Sequence, residues 1–126
     1  MNILRGSLVA GDGAPALLLA DGLSLPLPGL SVDPRYSGRE IDIGLRPEHL
    51  LRCQADDPHH FVAVLDAIEP VGSEAFAHLR LGPHGLIARF APEDLPAPGD
   101  LLPLRAAPGL SHVLDPVTGL RLPSGG

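Results

Sequence analysis

Glu40-Ile41-Asp42-Ile43-Gly44-Leu45-Arg46 alternates polar and apolar residues without a break. That period of two puts Ile41, Ile43 and Leu45 on one side of an extended chain and Glu40, Asp42 and Gly44 on the other, the pattern of a strand with one buried face. Pro47 follows directly. It disfavours helical geometry at Arg46 and suits the first turn of a helix, so Glu48-His49-Leu50-Leu51 reads as a single short helical turn. Beyond it, Phe61–Ile68 is apolar on nearly both faces and reads as a central strand. Ala75–Leu81 sets Ala75, Ala77, Leu79 and Leu81 against Phe76, His78 and Arg80. Leu86–Phe90 is a further strand, with Gly82-Pro83-His84-Gly85 as the hairpin loop before it. Leu101–Arg105 is another, and Pro103 places it at an edge or a bulge.

The first third reads the same way. Arg5–Ala10, Ala16–Ala20 and Leu23–Leu27 are strand-like runs separated by Gly11-Asp12-Gly13 and Asp21-Gly22. The polar stretch 52–60 reads as a connector with Asp56-Asp57 and His59-His60 solvated and changing charge near pH ~6.5. Pro92-Glu93-Asp94-Leu95 reads as a helical turn with its acids at the N-terminal end. A faint repeat relates Gly38-Arg39-Glu40-Ile41 to Gly99-Asp100-Leu101-Leu102, each a strand introduced by glycine. The expectation is an all-β chain with short helical turns, built from two similar strand sets at about 1–51 and 61–122. These sets could close as one compact barrel or as two joined ones.

Composition agrees and excludes much. The 126 residues include 39 of Leu, Ile, Val and Phe, too many for a disordered chain, while 15 Gly and 15 Pro argue against long helices. No apolar run reaches the ~18 residues of a membrane span, and the opening residues lack the pattern of a signal peptide. Nine arginines, no lysine and 15 acids give a net charge of −6, the wrong sign for a general nucleic-acid binder, and the few aromatics offer little base stacking. The single Cys53 cannot form an internal disulfide and suits a reducing, cytoplasmic setting. The six histidines do not assemble a metal site: His59 and His60 are adjacent, and His78 and His84 lack a third ligand. Ser73, Glu74 and His78 do not form a triad, since Ser73 lies opposite the other two on a strand; Ser73 is better read as a turn residue leading into an edge strand. No catalytic, cofactor or metal residue is expected.

Three stretches carry a family resemblance. Gly44-Leu45-Arg46-Pro47-Glu48-His49-Leu50, Ala67-Ile68-Glu69-Pro70-Val71-Gly72-Ser73-Glu74 and His112-Val113-Leu114-Asp115-Pro116-Val117-Thr118-Gly119-Leu120-Arg121-Leu122 occur in that order. Together with Met1-Asn2-Ile3-Leu4 they resemble the C-terminal regulatory domain, also called the TOBE domain, of the ATP-binding subunits of maltose- and glycerol-phosphate-type sugar ABC importers. Val113, Leu114 and Ile3 depart from that family's Leu, Phe and Phe. The resemblance implies OB-fold-like or MOP-like barrel lobes and a non-catalytic domain that helps to dimerise the ATPase. It also implies docking of a cytoplasmic regulator, work beside membrane permease subunits, and a place at the cytoplasmic face of the inner membrane. Arg46, Pro47, Glu48, His49, Gly72, Glu74, His112, Asp115 and Gly119 would then be structural or interaction positions. A chain without lysine cannot hold the phosphate loop of an ATPase, so ATP and Mg would belong to an ATPase domain absent from this sequence. The rival reading is an oxyanion-binding module of the molybdate-binding barrel type, using backbone N–H groups, hydroxyls and an arginine.

Overall fold

A computed structural model describes residues 1–10, 13–31, 33–91 and 96–122; the expected turns at Gly11-Asp12 and Pro92–Leu95 lie outside them. The described chain is all-β with short 3-10 turns. Its strands are β1 (Asn2–Ala10), β2 (Pro15–Leu18), β3 (Ser24–Pro26), β4 (Glu40–Leu45), β5 (Leu50–Arg52), β6 (Phe61–Val71), β7 (Glu74–Leu81), β8 (His84–Phe90), β9 (Leu101–Ala106) and β10 (His112–Leu114). They form two five-stranded sheets, ordered β10-β4-β1-β2-β3 and β5-β9-β6-β7-β8.

The two orders are the same order. In each set the first strand is central, the next two follow it to one side, and the fourth lies on its other side. The strand after the fourth then crosses to the opposite sheet: β5 pairs with β9, and β10 pairs with β4. The glycine repeat is the seam of this symmetry. Gly38 N–H donates to Leu8 O at 2.6 Å while Leu8 N–H donates to Arg39 O at 3.2 Å. Gly99 N–H donates to Leu65 O at 2.6 Å while Leu65 N–H donates to Asp100 O at 2.9 Å. Both glycines sit at positive φ, 78° and 96°, where a side chain would be strained.

The alternation in β4 holds. Ile41, Ile43 and Leu45 are buried in one core with Leu4, Leu8, Leu17 and Leu25 from the first sheet. Phe61, Leu65, Leu79, Leu102 and Leu104 meet them from the second. Ala63, Ala75, Ala77, Ala88 and Ala106 are buried there too, small residues that let the longer leucines interdigitate without voids.

Several expectations need correction. Leu50–Arg52 is a strand, and the 3-10 turn before it covers only Pro47–His49. Three-residue strands such as β5 and β10 are too short to show a period. Strand β7, expected at an edge, lies between β6 and β8, and β9 lies between β5 and β6. Pro103 is tolerated inside the sheet because its carbonyl accepts from Cys53 N–H at 3.3 Å. Its nitrogen points to the same side, where the β5–β9 ladder ends with that bond, so the missing donor costs only the last rung. The hairpin loop before β8 is only Gly82-Pro83, since Leu81 pairs with His84. The 52–60 stretch is tied down rather than freely solvated. Asp57 Oδ1 accepts from His59 N–H at 2.9 Å, and Asp57 Oδ2 lies 3.6 Å from Arg105.

Candidate functional site

The family-like residues fall into two groups: those that shape turns and those that meet at the strand crossover. Arg46 sits just before the 3-10 turn with extended φ and ψ, and Pro47 opens it. The His49 N–H donates to Arg46 O at 2.9 Å. His49 O then accepts from Ala107 N–H at 2.8 Å, so the turn that sends β5 outward is bonded to the segment that sends β10 back. His112 stands opposite Gly44 on the neighbouring strand. Burial, aided by Arg121, Arg46 and His49, holds its imidazole below the usual histidine range. His49 Nδ1 is buried with no hydrogen-bond partner among the described residues.

Glu48 is exposed, and its carboxyl is held below the ordinary value by its own backbone N–H, with Arg89, His49 and Arg46 assisting. Arg89 is also paired with Glu74, Nε to Oε2 at 2.8 Å. Arg89 thus pairs with the second motif and shares a small hollow with Glu48 of the first, a placement no sequence pattern announced because the three residues are far apart in the chain. Gly72, at φ 62°, forms the two-residue turn that delivers Glu74 to the start of β7.

The third motif builds a self-bonded loop. Asp115 Oδ1 accepts from Val117 N–H at 2.8 Å and Thr118 N–H at 3.0 Å, which holds its carboxyl below the usual range. Thr118 Oγ1 accepts from Leu120 N–H at 3.2 Å, and Gly119 supplies φ 73°. Arg121 then bridges back to Leu114. Asp115 and Gly119 are thus loop formers, and what the loop displays is Val117 and Leu120, 91% and 69% exposed.

Asn2 joins the sheets. Its Nδ2 donates to Leu45 O at 3.0 Å and Ile87 O at 2.8 Å, while its Oδ1 accepts from Ile87 N–H at 2.7 Å. This closes the free edge of β8 at its middle, where an open edge would invite another strand.

Nothing among these residues composes a reaction centre. His78 bonds Glu69 at 3.3 Å and His84 stands 3.7 Å from Asp21, so the two histidines have separate partners. No group of three metal-ligating side chains occurs among the described residues. A hollow of about 480 Å³ lies between the end of β1, the start of β2 and Pro34, lined by Leu8, Val9, Ala14 and Pro15 among others and, among the described residues, by no charged side chain. Such a surface lacks the convergent polar groups of a small-molecule site. No described helix is long and apolar enough to cross a membrane.

Two strand-exchanged sheets on one core define an OB-like barrel. The family profile of the MalK OB fold domain matches residues 1–50, and that of the TOBE domain matches residues 43–114. The chain belongs to the TOBE domain family. It is 37% identical to the sn-glycerol-3-phosphate import ATP-binding protein UgpC of Paraburkholderia xenovorans, over 96% of this chain and 33% of that protein. It is 34% identical to the sulfoquinovosyl glycerol transport ATP-binding protein SmoE of Agrobacterium fabrum, over 94% of this chain and 32% of that protein. The chain therefore spans about a third of the length of the curated relatives it matches. Among solved structures, the cytoplasmic molybdate-binding protein ModG with molybdate bound superposes with a TM-score of 0.69 at 15% identity, over 91% of this chain and 96% of that one. That likeness is one of fold.

Proposed function

We propose that this barrel is the non-catalytic accessory domain of the ATP-binding subunit of a bacterial sugar-type ABC importer. It works at the cytoplasmic face of the inner membrane beside permease subunits. The observation that supports this best is the match to importer ATP-binding proteins over nearly the whole chain. The geometry suits the role. Reciprocal strand exchange makes a stiff body, and a stiff body fused to a motor domain can hold two copies together while the motors open and close on ATP. It also offers a regulator a fixed surface. The chemistry of hydrolysis, with its ATP and Mg, is then left to the ATPase domain of the longer subunit.

The test is deletion of this barrel from the importer subunit that carries it, followed by sedimentation. A dimer that dissociates at lower dilution supports the reading, and an unchanged dimer refutes the pairing role. A thermal-unfolding screen against molybdate, tungstate, sulfate, phosphate and glycerol phosphate separates the oxyanion alternative. A bound anion at ~100 times its dissociation constant adds ~2.7 kcal/mol and raises the midpoint by several degrees.

A further inference from the structure

Strands β6 and β9 turn alternate side chains away from the core. Phe61, Ala63 and Leu65 of β6 and Leu102 and Leu104 of β9 are buried. Val62 and Val64, with Leu101 and Pro103, therefore lie on the outer face of the second sheet. The register sets Val62 beside Pro103 and Val64 beside Leu101. Leu101 is 67% exposed and Val62 41%. Apolar residues scattered singly over a surface are ordinary, but these four side chains are contiguous, on strands flanked on both sides by others.

The arginines that border this patch are already matched. Arg80, opposite Val64 on β7, donates its Nε to both carboxylate oxygens of Asp66, at 2.9 and 2.8 Å. Arg105, two residues beyond Pro103, stands 3.6 Å from Asp57. Each pair is neutral as a unit, so these margins do not carry the −6 of the whole chain. An apolar centre between neutral pairs gives a strongly basic or acidic partner nothing to select. It matches a surface of its own kind, and a second copy of the chain presents one. A two-fold axis lying in the face, along the line between β6 and β9, sets Leu101 against Val64 of the second copy and Pro103 against its Val62. The contacts are then reciprocal, as closed two-fold pairing requires, and the two sheets pack face to face with aligned strands.

We propose that the outer face of β6 and β9 is the surface through which two copies of this barrel pair. The proposal rests on the pairing role above and assigns that role its residues. Size sets the strength. Four strands from β5 to β7 at ~4.8 Å and about six residues at ~3.3 Å give a face of roughly 400 Å². That is about half of the ~800 Å² per partner of a standard interface. The free barrels therefore pair weakly, with a dissociation constant of roughly 0.1–1 mM. Tethered to motor domains that already meet, the same face acts at a high effective concentration and needs no greater affinity.

The experiment is sedimentation equilibrium of the 126-residue chain from about 10 μM to about 2 mM, a range that brackets the expected constant. The parent should pass from monomer to dimer. V62E/L101E, which sets four carboxylates face to face in the pair, should weaken pairing at least tenfold. V117E/L120E adds the same charges to the exposed loop after β10, on the other sheet, and should pair as the parent does. Circular dichroism and thermal melts establish that each variant is folded, and the uncharged V62T/L101Q, expected to weaken pairing several-fold, replaces V62E/L101E should that variant fail to fold. The proposal is overturned by a parent that stays monomeric at about 2 mM, by a dimer that survives substitution at Val62 and Leu101, or by equal weakening in V117E/L120E. Placed in the importer subunit that carries the barrel, V62E/L101E should loosen the dimer as barrel deletion does. A dimer that loosens on deletion but ignores V62E/L101E would sink this face and leave the accessory-domain reading standing.

Discussion

Gly6 is the position where the two central ladders of the first sheet leave no room for a side chain. It lies in β1 between β4 and β2, opposite Ile41. A methyl group placed there would run into the carbonyl oxygen of Leu18, and would approach Leu17 Cγ to 3.0 Å and Leu18 C to 3.1 Å. The obstacle is backbone, so no rotamer change relieves it. Either β2 moves away from β1, weakening the Ser7–Leu18 and Leu8–Leu17 pairings, or the methyl presses on the fully buried Leu17. Overpacking of this kind costs about 1–3 kcal/mol, and an unyielding neighbour puts it at the upper part of that range. For a domain of this size each kcal/mol moves the melting midpoint by roughly 3–5 °C, so Gly6→Ala should melt about 5–15 °C lower. Gly85→Ala is the matched control. It also lies in a strand, but nothing stands within 4 Å of its added methyl, and alanine there should be neutral or slightly stabilising. Calorimetry of the three proteins decides the matter. A Gly6→Ala midpoint within about 2 °C of both the parent and Gly85→Ala would refute the close approach of β1 and β2.

Asn2→Ala removes the side chain that occupies both backbone groups of Ile87. We expect a loss of roughly 1–3 kcal/mol in urea unfolding and concentration-dependent association in light scattering as the β8 edge opens; a monodisperse variant of parental stability would contradict the clamp. Asp115 has a depressed folded-state pKa through its bonds to Thr118 and Val117. Its contribution is therefore present above the unfolded carboxylate value near ~3.9 and lost as pH falls through the lower folded one. Asp115→Asn should flatten the acid limb of the urea midpoint between about pH 5 and pH 2, and an acid limb as steep as the parent's would show that the loop does not hold the charge.

Strict alternation in β4 and β7 made those strands legible, because a half-buried strand must repeat every two residues. The repeat at Gly38 and Gly99 was legible as well, since a left-handed turn into a strand demands glycine in both copies. Strands β5 and β10 were not, because three residues carry no period and their place is set by what they pair with across the barrel. Pro103 misled for a related reason. The rule that proline marks an edge holds for a strand paired fully on both sides, and on the β5 side the ladder ends at Pro103, whose carbonyl takes the last bond from Cys53. At the site, the turn-forming roles of Gly72 and Gly119 follow from residue type. The Glu74–Arg89 ion pair does not, for it joins two strands that only the fold brings together.

The strand exchange gives the Arg46-Pro47-Glu48-His49 stretch a physical reason to have the form it has. The chain must leave the first sheet at Leu45 and enter the second at Leu50, and the four residues between must reverse direction without a buried, unpaired backbone. Proline at position 47 fixes the first φ of the turn and donates no N–H that would need a partner. His49 then presents its N–H to Arg46 and its carbonyl to Ala107, so one crossover satisfies part of the other. The second crossover uses Pro108 in the corresponding place, and its Leu110 N–H donates to Ala107 O at 3.4 Å as His49 N–H does to Arg46 O. Two exchanged strands that share a hydrogen bond at their crossing are coupled, since opening one also breaks a bond worth about 1 kcal/mol to the other. Pulling β5 from β9 disturbs the turn that supports β10, and the reverse holds. The two strand sets therefore resist opening separately, the mechanical property that the pairing role proposed above requires.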